Sequence, residues 1–302
     1  MTASLLQSPA ARQGPGAIPH RVVEALDLVI SRRTAGALPG DRRAFGVGLG
    51  TELAQLRPYE PGDDVRHLDP FATARTGEPH VRVHVPERTL TTWIVLDVSA
   101  SMAFGTSNRL KSDVAEGVAL VVARLAVRRA GRIGLMTFGA GPPHVLPPRA
   151  SKRGLTAIRS AVNGGVGRDG MHEPTALADA LVQLRKIMSP PGLVVLVSDL
   201  RDQQNWPHAL AAVRARHSVA VVEVCDPREA ALPAVGHLAL VDPETGEHLE
   251  VDTTSSAVRQ AFARAESERR DEVAAELRRL QVEHVTLSTQ DDWLKELGRT
   301  LR

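Results

Sequence analysis

Three stretches of the chain are apolar almost without interruption: Trp93-Ile94-Val95-Leu96, residues 193–197, and residues 219–224 apart from Glu223. Runs of this kind mark strands covered on both faces, as in a parallel sheet. Between them the apolar positions move to helical spacing. Leu110, Val114, Val118, Val121, Val122 and Leu125 fall on one stripe, and Leu177, Leu181, Leu184 and Met188 on another, the latter ended by Pro190-Pro191-Gly192. Residues 133–138 form the next predicted strand, Val145-Leu146 a short edge strand between prolines, and 153–162 and 206–216 two further helices. Residues 255–280 follow as a helix with Ser255 or Ser256 as its N-cap, then a last strand at 285–287 and a closing helix over 291–301. Strand and helix alternating at this rhythm predict an α/β fold with a doubly wound, mostly parallel sheet. The middle of the long helix, 266–272, is charged all round and is expected to be solvated or kinked.

Upstream the pattern is different. Val22, Val23, Leu26, Val29 and Ile30 recur at helical spacing, and a glycine-rich stretch with Gly36, Gly40, Gly46, Gly48 and Gly50 then breaks any regular element. His80-Val81-Arg82-Val83-His84-Val85 alternates as a half-buried strand does. After the third apolar strand the α/β rhythm lapses into a predicted β-hairpin, Leu238-Ala239-Leu240-Val241 and residues 248–251 around a Pro243/Gly246 turn. The expected organisation is therefore residues 1–90 as an N-terminal arm with part of a small β-rich side subdomain, and 91–302 as the α/β domain. Within the latter, 226–253 is expected as a hairpin insertion packing on the N-terminal lobe.

Composition narrows the class without deciding the function. With 302 residues, 43% hydrophobic and 24% charged, and a mean hydropathy of −0.13, the chain has ordinary globular composition. Its net charge of +2 is a poor footprint for nucleic acid despite a pI near 9.0. A lone Cys225 leaves no intrachain disulfide or cysteine zinc site and fits a reducing, cytoplasmic setting. No apolar run approaches the roughly 20 residues a membrane span needs, and the first 18 residues lack a signal-peptide core.

The candidate chemistry sits at the carboxyl ends of the two most apolar strands. One ends in Asp97-Val98-Ser99-Ala100-Ser101, the other in Ser198-Asp199. Open α/β sheets bind ligands beyond such ends, where strand order reverses, so placing these two strands side by side puts Asp97 and Asp199 in one crevice. Ser99 and Ser101, two apart in an extended loop, point the same way. A cage of carboxylate and hydroxyl oxygens suits Mg²⁺, Mn²⁺ or Ca²⁺ better than Zn²⁺ or copper. Two carboxylates also leave a divalent ion near neutral, able to accept an outside carboxylate.

Asp97-x-Ser99-x-Ser101 after an apolar strand resembles the metal-ion-dependent adhesion site of von Willebrand factor type A domains. That resemblance implies a threonine from a second loop and an aspartate after the fourth strand, and Thr175 and Asp199 stand in those places. It implies direct hydroxyl ligands from Ser99, Ser101 and Thr175, aspartates acting directly or through water, and an Asp or Glu of a protein partner completing the octahedron. A further resemblance rests on residues 56–66 (Leu-Arg-Pro-Tyr-Glu-Pro-Gly-Asp-Asp-Val-Arg), Asp69, Ala72-Thr73-Ala74-Arg75, Glu87-Arg88 and residues 240–247. These are similar to the bacterial family catalogued as domain of unknown function 58, whose members carry a type A domain. Pro70-Phe71 departs from the tryptophan usual after the aspartate in that family. Its genes typically lie beside MoxR-type AAA+ ATPases, so the resemblance implies an adaptor or co-chaperone for such an ATPase.

Other motifs carry less. Gly165-Val166-Gly167-Arg168-Asp169-Gly170 has a dinucleotide-binding spacing but follows a helix rather than a strand, and is expected as a flexible loop. His80 and His84 share a strand face and are expected exposed. Asp63-Asp64 with Arg57, Arg66 and Arg75 is expected to form salt bridges, and Arg124, Arg128, Arg129 and Arg132 a solvated helix end. Glu223 is expected as a paired buried carboxylate. The chain has no Gly-x-Ser-x-Gly elbow, P-loop or His-Glu-x-x-His, and Asp97-Val98-Ser99 lacks the second aspartate of an aspartyl-phosphate phosphatase. The alternatives to a binding module are a metal-dependent hydrolase using the same cage, with His172 the nearest base in sequence, and a scaffold with an empty site.

Overall fold

The computed structural model describes residues 6–7, 52–85, 90–107, 109–162, 164–167, 176–201, 205–243 and 245–300. In chain order the elements are β1 (Leu6–Gln7), β2 (Glu52–Pro58), α1 (Pro70–Thr76), β3 (His80–Val85), β4 (Thr91–Asp97), α2 (Lys111–Arg128), β5 (Arg132–Phe138), β6 (Val145–Ala150), α3 (Ser151–Val162) and β7 (Val166–Gly167). They continue with α4 (Leu177–Ile187), β8 (Leu193–Ser198), α5 (Trp206–Arg214), β9 (Ser218–Cys225), α6 (Pro227–Ala230), β10 (His237–Val241), β11 (His248–Asp252), α7 (Ser256–Arg279), β12 (Glu283–Ser288) and α8 (Trp293–Thr300). The helix expected around residues 22–30 lies outside the described residues.

Strand order in the six-stranded sheet is β12-β9-β8-β4-β5-β6, parallel except for the antiparallel edge strand β6. The chain leaves β4 toward β5 and β6 on one side, then returns to β8 and builds outward through β9 and β12 on the other. Strand order therefore reverses between β4 and β8, which are paired with Thr92 opposite Leu193 and Leu96 opposite Val197. The doubly wound α/β sheet read from the sequence is the fold of this unit.

Both faces of the sheet are covered at its centre, which is why β4, β8 and β9 are apolar almost throughout, whereas the edge strands β6 and β12 carry exposed polar residues. Successive residues of β4 point to opposite sides. Ile94 and Leu96 enter a core with Val118, Leu135 and Ile158, beneath α2, α3 and α8. Trp93 and Val95 enter the other, with Leu181, Leu210 and Leu277 from α4, α5 and α7. Trp93 pairs with Gly134 across β4–β5, and a Cβ at Gly134 would stand 2.9 Å from the indole; the glycine makes room for the ring.

The described residues fall into two compact units, one within Thr34–Thr89 and one that includes Leu90–Arg302. In the first, β2 and β3 form an antiparallel pair with a bulge between Leu53 and Gln55. Asp69 opens α1, accepting the Ala72 N–H at 2.7 Å and the Arg82 Nε–H at 2.7 Å, with Pro70 preset for the first helical position. Arg57 forks onto Asp63 (2.8 and 2.6 Å), as expected, whereas Asp64 caps a short 3₁₀ turn through the Arg66 N–H.

The predicted hairpin forms as β10–β11 in the second unit, His237 opposite Asp252 and Val241 opposite His248. Ser255 caps α7, accepting from the Val258 N–H. The expectation that α7 is solvated or kinked over 266–272 holds for the exposed Ser267, Glu268, Asp271 and Glu272 but not for a kink or for Glu266. The helix runs uninterrupted, and Glu266 is buried where Arg201, Arg269 and Arg270 reach it at 2.8–3.1 Å. Glu266 alone of this charged segment is buried, and it can be because guanidinium groups surround its carboxylate.

Candidate metal centre

The sheet brings the two aspartate-bearing strand ends together at the reversal point. Asp97 closes β4 and Asp199 follows β8, and both side chains are buried. Beyond Asp97 the backbone is extended at Ser99, then enters a 3₁₀ turn over Ala100–Ala103. Asp97 Oδ1 accepts the Ser99 N–H at 2.9 Å, which folds the loop back over the carboxylate. Its Oδ2 accepts the Ser198 hydroxyl at 2.6 Å. The Ser99 and Ser101 hydroxyls lie 3.0 Å apart, and Ser101 donates to Asp199 Oδ2 at 2.9 Å. Four of the residues expected from the sequence, Asp97, Ser99, Ser101 and Asp199, thus form one hydrogen-bonded cluster. Thr175, the fifth, and His172 lie outside the described residues; α4 begins just after, at Leu177.

Gly139 is the floor of this cluster. It has φ +93°, and a Cβ there would stand 2.7 Å from the Ser99 backbone nitrogen and 2.9 Å from Asp97 Oδ1. The carboxylate can be seated only because that residue has no side chain. Gly139→Ala is expected to cost about 1–3 kcal/mol through the left-handed backbone and the clash. It should also weaken divalent-ion binding, both visible in one melting series with and without Mn²⁺.

The electrostatics are those of a site short of positive charge. Burial, then the Asp199 charge, pushes the Asp97 carboxyl up to about 7 against the hydrogen bonds from Ser198 and Ser99. Burial acts the same way on Asp199, but the adjoining Lys111 ammonium outweighs it and holds that carboxyl below its ordinary value. Lys111, the first residue of α2, is fully buried, with Nζ 2.6 Å from Asp199 Oδ2 and 2.6 Å from Glu229 Oε1. Glu229 belongs to α6, where its other oxygen accepts the Asp226 N–H at 2.9 Å.

This donor set fits a hard divalent ion. Its described members are two carboxylates and two hydroxyls, all oxygen, gathered on one side of the sheet's end. No group of three His, Cys, Asp or Glu side chains able to hold a metal occurs among the described residues, so a metal here would need the serine hydroxyls as ligands. Sequence reading missed two members of the neighbourhood, Ser198 and Lys111. Lys111 carried one signal, a cation at a helix N-terminus, where the dipole disfavours it.

Other sequence motifs are placed elsewhere. Within the glycine string, Val166 and Gly167 form β7, antiparallel to β1, and the Gly167 N–H donates to the Val98 carbonyl at 2.6 Å. Residues 168–170 lie outside the described residues. Buried Glu223 pairs with His284 Nε2 at 2.9 Å and lies 3.6 Å from Arg269, as a paired carboxylate should.

Residues 55–272 match the family model described as protein of unknown function DUF58. The chain belongs to this family. Among curated proteins it is 35% identical over 278 residues to an uncharacterized protein of Mycobacterium tuberculosis, covering 92% of this chain and 87% of that one. An uncharacterized protein of Mycobacterium bovis matches equally. Solved structures similar to this DUF58 chain include the conserved hypothetical protein BatB from Bacteroides thetaiotaomicron, 16% identical, covering 70% of this chain and 97% of that one with a TM-score of 0.44. A von Willebrand factor type A structure from Catenulispora acidiphila is 12% identical, covering 72% of this chain and 44% of that one with a TM-score of 0.39. No helix among the described residues is long and apolar enough to cross a membrane.

Proposed function

We propose that this chain is a metal-dependent protein-binding module. Asp97, Ser99, Ser101, Thr175 and Asp199 would hold Mg²⁺, with Mn²⁺ or Ca²⁺ as substitutes, and an Asp or Glu of a protein partner would take the remaining coordination position. A bound divalent ion would supply a Lewis-acidic docking point for that carboxylate. The supporting observation is the chain of contacts from Ser99 through Ser101 to Asp199, which joins the ends of β4 and β8 at the sheet's reversal point. The partner proposed from the family resemblance is a MoxR-type AAA+ ATPase, with this chain as its adaptor or co-chaperone.

Calorimetry with Mg²⁺ and Mn²⁺ tests the first half, and capture of the purified ATPase with and without EDTA the second. Saturable heats and capture that EDTA abolishes and Mg²⁺ restores are expected. Absence of heat overturns the metal reading, and EDTA-insensitive capture overturns the docking reading. Metal-dependent phosphoester turnover that disappears in Asp97→Ala would replace the binding module with the hydrolase.

A further inference from the structure

Lys111 is a buried cation with no part in the module just described, yet it occupies the position that matters most to it. Asp199 Oδ2 accepts from both Lys111 Nζ (2.6 Å) and the Ser101 hydroxyl (2.9 Å), so one oxygen of the cage is committed to an ammonium of the same chain. A positive charge sited at the start of α2 is opposed by the helix dipole and by loss of water, and it stays buried only while it is paired. What holds it is two carboxylates. Asp199 belongs to the cage; Glu229 does not.

Glu229 is built to receive a cation. Oε2 is pinned by the Asp226 N–H at 2.9 Å, leaving Oε1 facing Lys111 at 2.6 Å with Arg201 Nε 3.2 Å away. The Phe104 ring lies 5.9 Å from Nζ and gives the ammonium a further favourable neighbour. An ammonium already shared between the two carboxylates needs only a small shift to leave Asp199 and stay paired.

We propose that Lys111 is the centre's internal competitor for metal: its ammonium neutralises Asp199 when no ion is bound, and ion entry requires it to yield Asp199 and rest on Glu229. The proposal rests on the metal reading above and adds that affinity is set by a switch between two cations, with Glu229 as the seat Lys111 withdraws to. A site whose competent form is a minor population binds more weakly by that fraction.

Mn²⁺ titration of the full chain, read by calorimetry and by the melting shift Mn²⁺ produces, tests this with variants of opposite sign. Lys111→Met is expected to bind Mn²⁺ about tenfold or more tighter than wild type and to gain more melting temperature on adding it. Glu229→Gln removes the second seat, and is expected to bind several-fold more weakly in the wild-type background but with little effect in a Lys111→Met background. Lys111→Gln, which keeps a hydrogen-bond donor at the position, covers the case in which the methionine variant does not fold. Folding of either Lys111 variant only in the presence of Mn²⁺ also supports the switch.

If wild type binds Mn²⁺ and neither Lys111 variant binds more tightly, the competitor is overturned while the metal centre stands. An undiminished Glu229→Gln effect in the Lys111→Met background likewise overturns the withdrawal to Glu229. If neither wild type nor the Lys111 variants bind, the metal reading falls and the proposal with it.

Discussion

Asp97→Asn is expected to abolish divalent-ion binding while leaving the fold in place. The separation of these two effects follows from the hydrogen bonds around the residue. Asn presents a carbonyl oxygen where Asp97 Oδ1 accepts the Ser99 N–H, so the loop can keep its turn over the strand end. Its NH₂ then faces the Ser198 hydroxyl, which can rotate to accept, in the geometry a protonated carboxyl would use. Removing the charge also removes the repulsion between two buried carboxylates, so nothing in the metal-free protein requires Asp97 to be ionised. A metal does require it. Losing one of two anionic ligands should cost about 100-fold or more, beyond the range seen when only an outer partner is removed. Titration of Mn²⁺ checks the affinity, and melting in EDTA checks the fold. A variant that binds as wild type does would show that the cage is not the binding site, and one that melts far below wild type would show that Asp97 is structural.

The parts of this centre that were legible in the sequence are those fixed by short-range pattern. Two strands apolar on both faces belong in a covered sheet, and placing them side by side where strand order reverses puts Asp97 and Asp199, at their ends, in one crevice. The spacing of Ser99 and Ser101 then placed two hydroxyls beside them. Lys111 was hidden because its burial is decided at long range. In sequence it is the polar start of an amphipathic helix; only Asp199 and Glu229, 88 and 118 residues onward, make it a core residue. Ser198 was passed over for a related reason. It looks like the last residue of a strand, and its hydroxyl acquires a role only when the neighbouring strand delivers Asp97. Glu266 shows the same failure in reverse. A charged helix segment is normally a solvated face, and the arginine at position 201 that helps bury it comes from the loop after β8. Apolar periodicity predicts which faces are covered, but it does not reveal which charges pair across elements.

Asp226 is where the largest loss of stability is expected, and the reason is its valence. Oδ1 accepts the Thr106 hydroxyl at 2.6 Å and the Arg228 N–H at 2.9 Å; Oδ2 accepts the Thr106 N–H at 2.8 Å and the Thr289 hydroxyl at 2.6 Å. One buried carboxylate thereby ties together the loop after the Asp97–Ser101 turn, the cap of α6 and the segment following β12. Its own N–H holds Glu229, and so the second carboxylate facing Lys111. Asp226→Ala leaves four donors without their acceptor, at about 1–3 kcal/mol for each that water cannot reach. A net loss of about 3–5 kcal/mol is expected, lowering the melting temperature by on the order of 10 °C. The loss should depend on pH in a definite direction. Burial raises the Asp226 carboxyl, but the Thr106 and Thr289 hydrogen bonds outweigh it and hold it below its ordinary value of 3.8. The unfolded chain therefore takes up the proton first on acidification, so the contribution is complete above that ordinary value and fades as pH falls through the lower folded one. Melting curves of wild type and Asp226→Ala should lie furthest apart above pH 5 and draw together as pH falls below 3.8. Curves separated by a constant amount would mean that the aspartate acts through its shape and not through its charge, and coincident curves would remove it as the tie between these three segments.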